Sequence, residues 1–212
     1  MVYFKKSYPS PIVGKNYNTP EVVKQLEQDF FNKCYICEIK KPTTVNIEHF
    51  IAHKGDESLK YNWDNLFLSC GHCNNSKLEK FDNLLNCTIL ADKVDVALHY
   101  YCNPMPKEKP IFKILTPSDK ANQTKELLEK CFNGEHTGQK TLESSNLRDS
   151  LLKEILVFQK LLFEYFECSD KEYFLNKIKE HLSNRSSFTA FKRWIIRDNS
   201  YLKNEFEQYI VD

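Results

Sequence analysis

The sequence predicts an α+β fold in which a small zinc-clamped core of two strands and a helix precedes a mostly helical C-terminal region. Three observations carry this. Two Cys-x-x-Cys pairs, Cys34/Cys37 and Cys70/Cys73, bracket a compact insert. Residues 44–50 alternate apolar and polar side chains, which is the period of a strand. After Pro117 the apolar residues recur at helical spacing through the remainder of the 212-residue chain.

Taken in order, residues 1–18 are irregular, with a short strand expected at Val2-Tyr3-Phe4. Thr19-Pro20-Glu21 reads as a helix start, Thr19 capping and Pro20 at the first helical position. Val22, Val23, Leu26, Phe30 and Phe31 continue that helix toward Cys34. Lys40-Lys41-Pro42 breaks the pattern, and Thr44–Phe50 forms the first strand, with Glu48 and His49 near its end. Lys54–Glu57 is a polar loop, Trp63–Ser69 a second short strand or turn, and Cys73–Leu85 has the composition of a helix. Residues 1–92 therefore make an N-terminal segment and core, and 93–117 an irregular connection marked by Pro104, Pro106 and Pro110, with a short strand at Ile111–Leu115. Residues 118–212 form the helical region, with helices over Ser118–Phe132, Ser145–Cys168, Asp170–Ser183 and Ser187–Ile210, the last breaking near Asn199.

Composition narrows the function classes. With 41% hydrophobic residues the chain can bury a core, and charged residues at 28% nearly cancel to +1. Contact with a polyanion must then come from local patches, not from a field over the whole molecule. No stretch approaches the roughly 18 consecutive apolar residues of a membrane span, and Lys5 and Lys6 are followed by no apolar run, so a cytoplasmic protein is expected. In that setting the two cysteine pairs read as metal ligands and not as disulfides. Four thiolates in two such pairs suit the four tetrahedral corners of a structural Zn2+ site. Cys87, Cys102, Cys131 and Cys168 are scattered and read as small apolar residues.

Inside the clamp lie Glu48, His49, Asn65 and Asn74. A carboxylate and an amide oxygen can hold Mg2+, and an imidazole can take a proton from water near neutral pH, so these side-chain types suit phosphodiester hydrolysis. Adjacent strand residues face opposite sides, so Glu48 and His49 can share a site only where the strand ends or twists. The bland readings are a buried core histidine at 49 and a tight turn at Trp63–Leu66. His53 and Lys77 are candidate phosphate contacts, whereas His72, within the second cysteine pair, reads as structural. Lys40, Lys41, Lys54 and Lys60 flank the site, although lysine runs are more often solvated surface.

Ile47-Glu48-His49-Phe50, Trp63-Asp64-Asn65-Leu66 and Leu68-Ser-Cys-Gly-His-Cys-Asn-Asn-Ser-Lys77 together resemble the HNH endonuclease motif with its zinc-knuckle variant. The resemblance implies a ββα-metal fold, with His49 as general base, Glu48 and Asn74 as ligands of a catalytic Mg2+ or Mn2+, and Asn65 orienting His49. Asn74 stands where the family often has histidine, which makes this an HNN-type site and favours a hard cation. More narrowly, Glu-His-Phe at 48–50 and Asn62–Asn74, with the helical half, resemble the PtuB family of Septu-type and retron-associated antiviral defence nucleases. That resemblance implies a PtuA-like ATPase of the ABC/SMC type as partner, docked on the helical region; DNA is the expected substrate, with RNA left open. A stand-alone restriction-type HNH nuclease and a non-cleaving zinc-stabilised binding module are the alternatives. No base-reading module is visible in the sequence.

Overall fold

The computed structural model describes residues 1–135 and 137–212. Helix α1 spans Pro20–Asp29, and Thr19 Oγ1 accepts from the Val22 amide at 3.4 Å as its position predicts. Its apolar face, Val22 and Leu26, is buried, and Phe30 at its end packs on Phe67 with ring centroids 5.0 to 5.4 Å from its two aromatic neighbours Phe4 and Phe67. Val2 and Phe4 are buried plugs in this core and not a strand; one backbone bond, from the Phe4 amide to the Cys87 carbonyl at 2.8 Å, ties them in.

Strand β1 (Val45–His49) pairs antiparallel with β2 (Leu66–Cys70), Val45 opposite Cys70 and His49 opposite Leu66. Between them lie the one-turn helix α2 (Glu57–Lys60) and a 3-10 turn at Trp63–Asn65. All of β2 is buried, and α3 (Gly71–Lys77) follows it without a loop. That junction needs Gly71, because a Cβ there would stand 2.7 Å from Thr44 Oγ1, which instead accepts from the Gly71 amide at 3.2 Å.

The helix expected over 73–85 is shorter than its composition suggests. Leu78 adopts φ 49° and ends α3, and a 3-10 turn at Leu78–Lys80 follows. Phe81, Leu84 and Leu85 are buried from a non-helical course, in which the Leu85 amide donates to Thr124 Oγ1 at 2.8 Å instead of to a helical carbonyl. The stretch 93–117, expected to be irregular apart from a strand at 111, contains the one-turn helix α4 (Val94–Ala97) and an antiparallel pair, β3 (Leu98–Tyr101) with β4 (Ile111–Ile114). The three prolines fall in the link between those strands or at its edge.

Helices α5 (Asp119–Asn133), α6 (Gly138–Glu167) and α7 (Lys171–Leu182) are capped by Ser118, Thr137 and Asp170. α6 begins seven residues ahead of the expected Ser145, and Ser144 is buried inside it, donating to the Cys131 carbonyl at 3.0 Å. α8 (Thr189–Asp198) and α9 (Ser200–Phe206) meet at Asn199, whose side chain caps α9. The main core joins both halves, from Phe4 and Phe67 through Phe112 and Phe132 to Leu151 and Phe191. A smaller cluster, including Phe158, Leu162, Ile178 and Phe206, fills the outer end. This double packing explains why α6 is apolar on more than one face, although Leu142, Leu156, Val157 and Phe163 remain exposed. Among the described residues no helix is long and apolar enough to cross a membrane.

Candidate active site

The four cysteines converge. Cys34, Cys37, Cys70 and Cys73 are buried, and their sulfurs all lie within 4.8 Å of one another. Sulfurs about 2.3 Å from a tetrahedral Zn2+ stand about 3.8 Å apart, and Cys37 Sγ to Cys70 Sγ is 3.9 Å. Local structure builds each half. The first pair follows α1 and Phe30, and Cys70 caps α3, its sulfur accepting from the Cys73 amide at 3.4 Å. Burial works against a thiolate at Cys34, but thiol donors from Cys37, Cys70 and Cys73 outweigh it and hold the Cys34 pKa well below the usual range. Burial and the neighbouring thiols push Cys37 and Cys73 the other way, well above the usual range, so it is the spacing and identity of the four sulfurs that fit zinc. His72 fixes the second pair to the helical half, one ring nitrogen 2.7 Å from the Cys131 carbonyl and the other 2.9 Å from Glu143.

β1 ends at His49, and Glu48 and His49 are its last two residues, paired in register with Phe67 and Leu66. Nε2 of His49 lies 3.0 Å from the Lys60 carbonyl. A carbonyl can only accept, so Nε2 carries the proton and the neutral ring keeps its lone pair on Nδ1, which has no partner among the described residues. Burial lowers the His49 pKa, opposed by the Lys60 carbonyl and assisted by His53 and Lys77. The ring is flanked by Tyr17 and His53, with centroids at 4.8 and 4.7 Å. Tyr17 escapes sequence reasoning because it comes from the irregular N-terminal arm. His53 accepts from the Gly55 amide at 3.1 Å and so shapes the loop beside the histidine.

Two expected roles are corrected by the geometry. Asn65 does not touch the His49 ring: its Oδ1 accepts from the Ile51 amide at 2.8 Å, and its Nδ2 donates to the Ile51 and Leu59 carbonyls at 2.9 and 3.0 Å. It holds together the loop whose Lys60 carbonyl orients the ring, so its action on His49 is indirect. Lys77 is fully buried and cannot reach a phosphate. Its ammonium is 3.0 Å from Glu48 Oε1 and 3.1 Å from the His49 carbonyl, with Asp82 Oδ1 at 3.8 Å. The turn of α3 aims it inward, a direction that spacing in sequence does not reveal.

Glu48 is partly buried, and its pKa is raised by burial against the opposing pull of Lys77. Lys77 pairs with Oε1, and no group among the described residues donates to Oε2. Asn74 Oδ1 is buried with no hydrogen-bond partner among the described residues. An orphaned amide oxygen of this kind costs about 1–3 kcal/mol. Such an oxygen and a carboxylate with one free oxygen are hard donors that fit Mg2+ or Mn2+.

No curated protein and no solved structure matches the chain, so the narrower resemblance to the PtuB family gains nothing from these comparisons. Residues 34–80, from the first cysteine pair to the turn after Lys77, match the family model described as HNH endonuclease, and this segment is therefore an HNH domain.

Proposed function

We propose that the protein is a metal-dependent endonuclease of the HNH type that hydrolyses DNA phosphodiester bonds. The observation that carries the reading is the geometry at His49: Nε2 is tied to a backbone carbonyl and Nδ1 is left as the basic nitrogen, while burial lowers the pKa of the ring. A divalent cation held by Glu48 and Asn74 would supply positive charge against the charge developing on the scissile phosphate and the leaving 3′ oxygen. His49 takes the proton of the attacking water at Nδ1, Asn65 keeps the loop that orients it, and Lys77 holds one oxygen of Glu48. Incubation of the zinc-containing protein with plasmid DNA and Mg2+ or Mn2+ tests this. Cutting by the parent and none by a folded His49→Ala variant is expected; equal cutting by that variant overturns the assignment.

The narrower reading is an antiviral defence effector working with a PtuA-like ATPase of the ABC/SMC type. It is supported by the resemblance of residues 48–50 and 62–74 to PtuB proteins and by the exposed Leu156, Val157 and Phe163 on α6. Co-expression with such an ATPase should give a complex that co-purifies, and separate elution of the two proteins counts against it.

A further inference from the structure

We infer that a cleft of about 840 Å³ between the C-terminal end of α7 and the loop after the first cysteine pair holds the sugar-phosphate backbone of a nucleic acid. Its walls carry Lys40, Lys179, His181 and Arg185, with Ser186 and Glu180 beside them. The cations are fixed by neutral partners. Lys40 Nζ donates to the Arg185 carbonyl at 2.9 Å, the Arg185 guanidinium stands 4.7 Å from the centroid of Phe31, and Lys179 Nζ stands 4.5 Å from that of Tyr209. A carbonyl or an aromatic face positions a cation without cancelling its charge, and none of the three is ion-paired with a carboxylate among the described residues. Glu180, the acidic group of the cleft, is engaged by Lys177 at 3.0 Å.

The floor is built as well. Lys192, fully buried, is 3.0 Å from Glu154 and donates to Ser186 Oγ at 2.6 Å and to His181 Nδ1 at 3.2 Å. Because His181 accepts at Nδ1, its proton is on Nε2, which adds a donor. The Lys40 amide donates to Ser187 Oγ at 3.2 Å, so the loop of the HNH domain and the turn before α8 form one surface. Fixed, un-neutralised cations in an open cleft suit an extended polyanion. With cationic donors predominating, they read phosphates and not base edges. The choice of nucleic acid among polyanions rests on the nuclease reading.

Fluorescence anisotropy of a labelled mixed-sequence duplex, titrated with full-length His49→Ala protein over a salt series without added divalent cation, tests the cleft. A Lys179→Gln/Arg185→Gln double variant should bind about tenfold more weakly at low salt, and its slope of log affinity against log salt should be shallower by about two. The charge-preserving Lys179→Arg/Arg185→Lys pair should keep the parent slope, as should Lys107→Gln/Lys113→Gln, which removes two exposed lysines elsewhere. An unchanged slope in the double glutamine variant at unchanged Tm overturns the proposal, as does an equal loss in the Lys107/Lys113 control. Competition by polyglutamate equal to that of nucleic acid of the same charge overturns the nucleic-acid assignment. Unchanged slopes while the parent His49 protein cuts DNA would refute the cleft alone, whereas the expected slopes without any cutting would refute the nuclease reading alone.

Discussion

At His49, burial and one backbone carbonyl act on the same ring with different consequences. Burial lowers its pKa, so the neutral form persists to lower pH than in a free imidazole with its ordinary value of 6.5. The acid limb of kcat/KM for DNA cleavage should accordingly fall below pH 6.5, with activity lost as pH drops through the lowered pKa; a limb at or above that pH would remove His49 as the base. His49→Ala should lower the rate by about 10²–10⁴-fold without loss of fold. Lys77 gives the opposite pattern. Its ammonium is the buried counter-charge of Glu48, so Lys77→Met should cost about 3–5 kcal/mol in denaturant unfolding, while leaving the salt dependence of DNA binding unchanged because Lys77 is 0% exposed. A shallower salt slope with normal stability would restore Lys77 to the phosphate. The side chains that bear chemistry were legible in the sequence because Cys, Glu, His and Asn declare their donors. The Lys60 carbonyl was not, since every residue has one, and neither was the inward course of Lys77.

Elements were legible where a side chain marks their end. Thr19, Ser118 and Asp170 each cap the helix they announce. The β3–β4 pair was half hidden because each strand has only four residues and the proline-containing link lies between them. α3 was overextended because Phe81, Leu84 and Leu85 are spaced as a helix would space them, yet the left-handed Leu78 has already ended it. The least visible element-level constraint is the β2–α3 junction. Gly71 there has no positive φ; what it needs is room beside Thr44, the residue that leads into β1. Gly71→Ala places a methyl 2.7 Å from Thr44 Oγ1 and pushes the entrance of β1 away from Cys70. It should lower stability by about 1–3 kcal/mol, measured by urea unfolding of the zinc-containing protein. Adding Thr44→Ala should recover part of that loss, because the clash is with its side chain. Purely additive losses would mean that the junction relaxes elsewhere.

At the scale of the whole molecule, the HNH domain and the helical half share a buried ionic junction that no motif reports. Glu38, one residue after Cys37, is 2% exposed; it lies 3.2 Å from the Lys33 ammonium and 2.9 Å from that of Met1, and the Ala190 amide at the start of α8 donates to it. Its carbonyl accepts from the Phe188 amide at 3.2 Å, so the first cysteine pair is anchored on α8. Burial opposes ionisation of Glu38, but the two ammonium groups outweigh it and bring its pKa down to about 2 from 4.5. Burial also takes Lys33 from 10.5 down to about 8, against the pull of Glu38. The two shifts are of similar size and opposite effect on stability, so at neutral pH the pair adds little net stabilisation, as expected for buried ion pairs. The acid response is nevertheless one-sided. A carboxylate with a depressed folded pKa contributes stability above its unfolded value and loses it as pH falls through the folded one. For Glu38 the window runs from about pH 4.5 down to about 2, and the loss is on the order of 3 kcal/mol. Glu38→Gln should remove that part of the acid sensitivity. It should also destabilise the protein by about 3–5 kcal/mol at neutral pH, because Lys33 is left buried without its partner. Unfolding measured across that window, parent against variant, separates the two effects: parallel pH curves would mean that other carboxylates govern acid unfolding, whereas converging curves assign it to the junction between the HNH domain and α8.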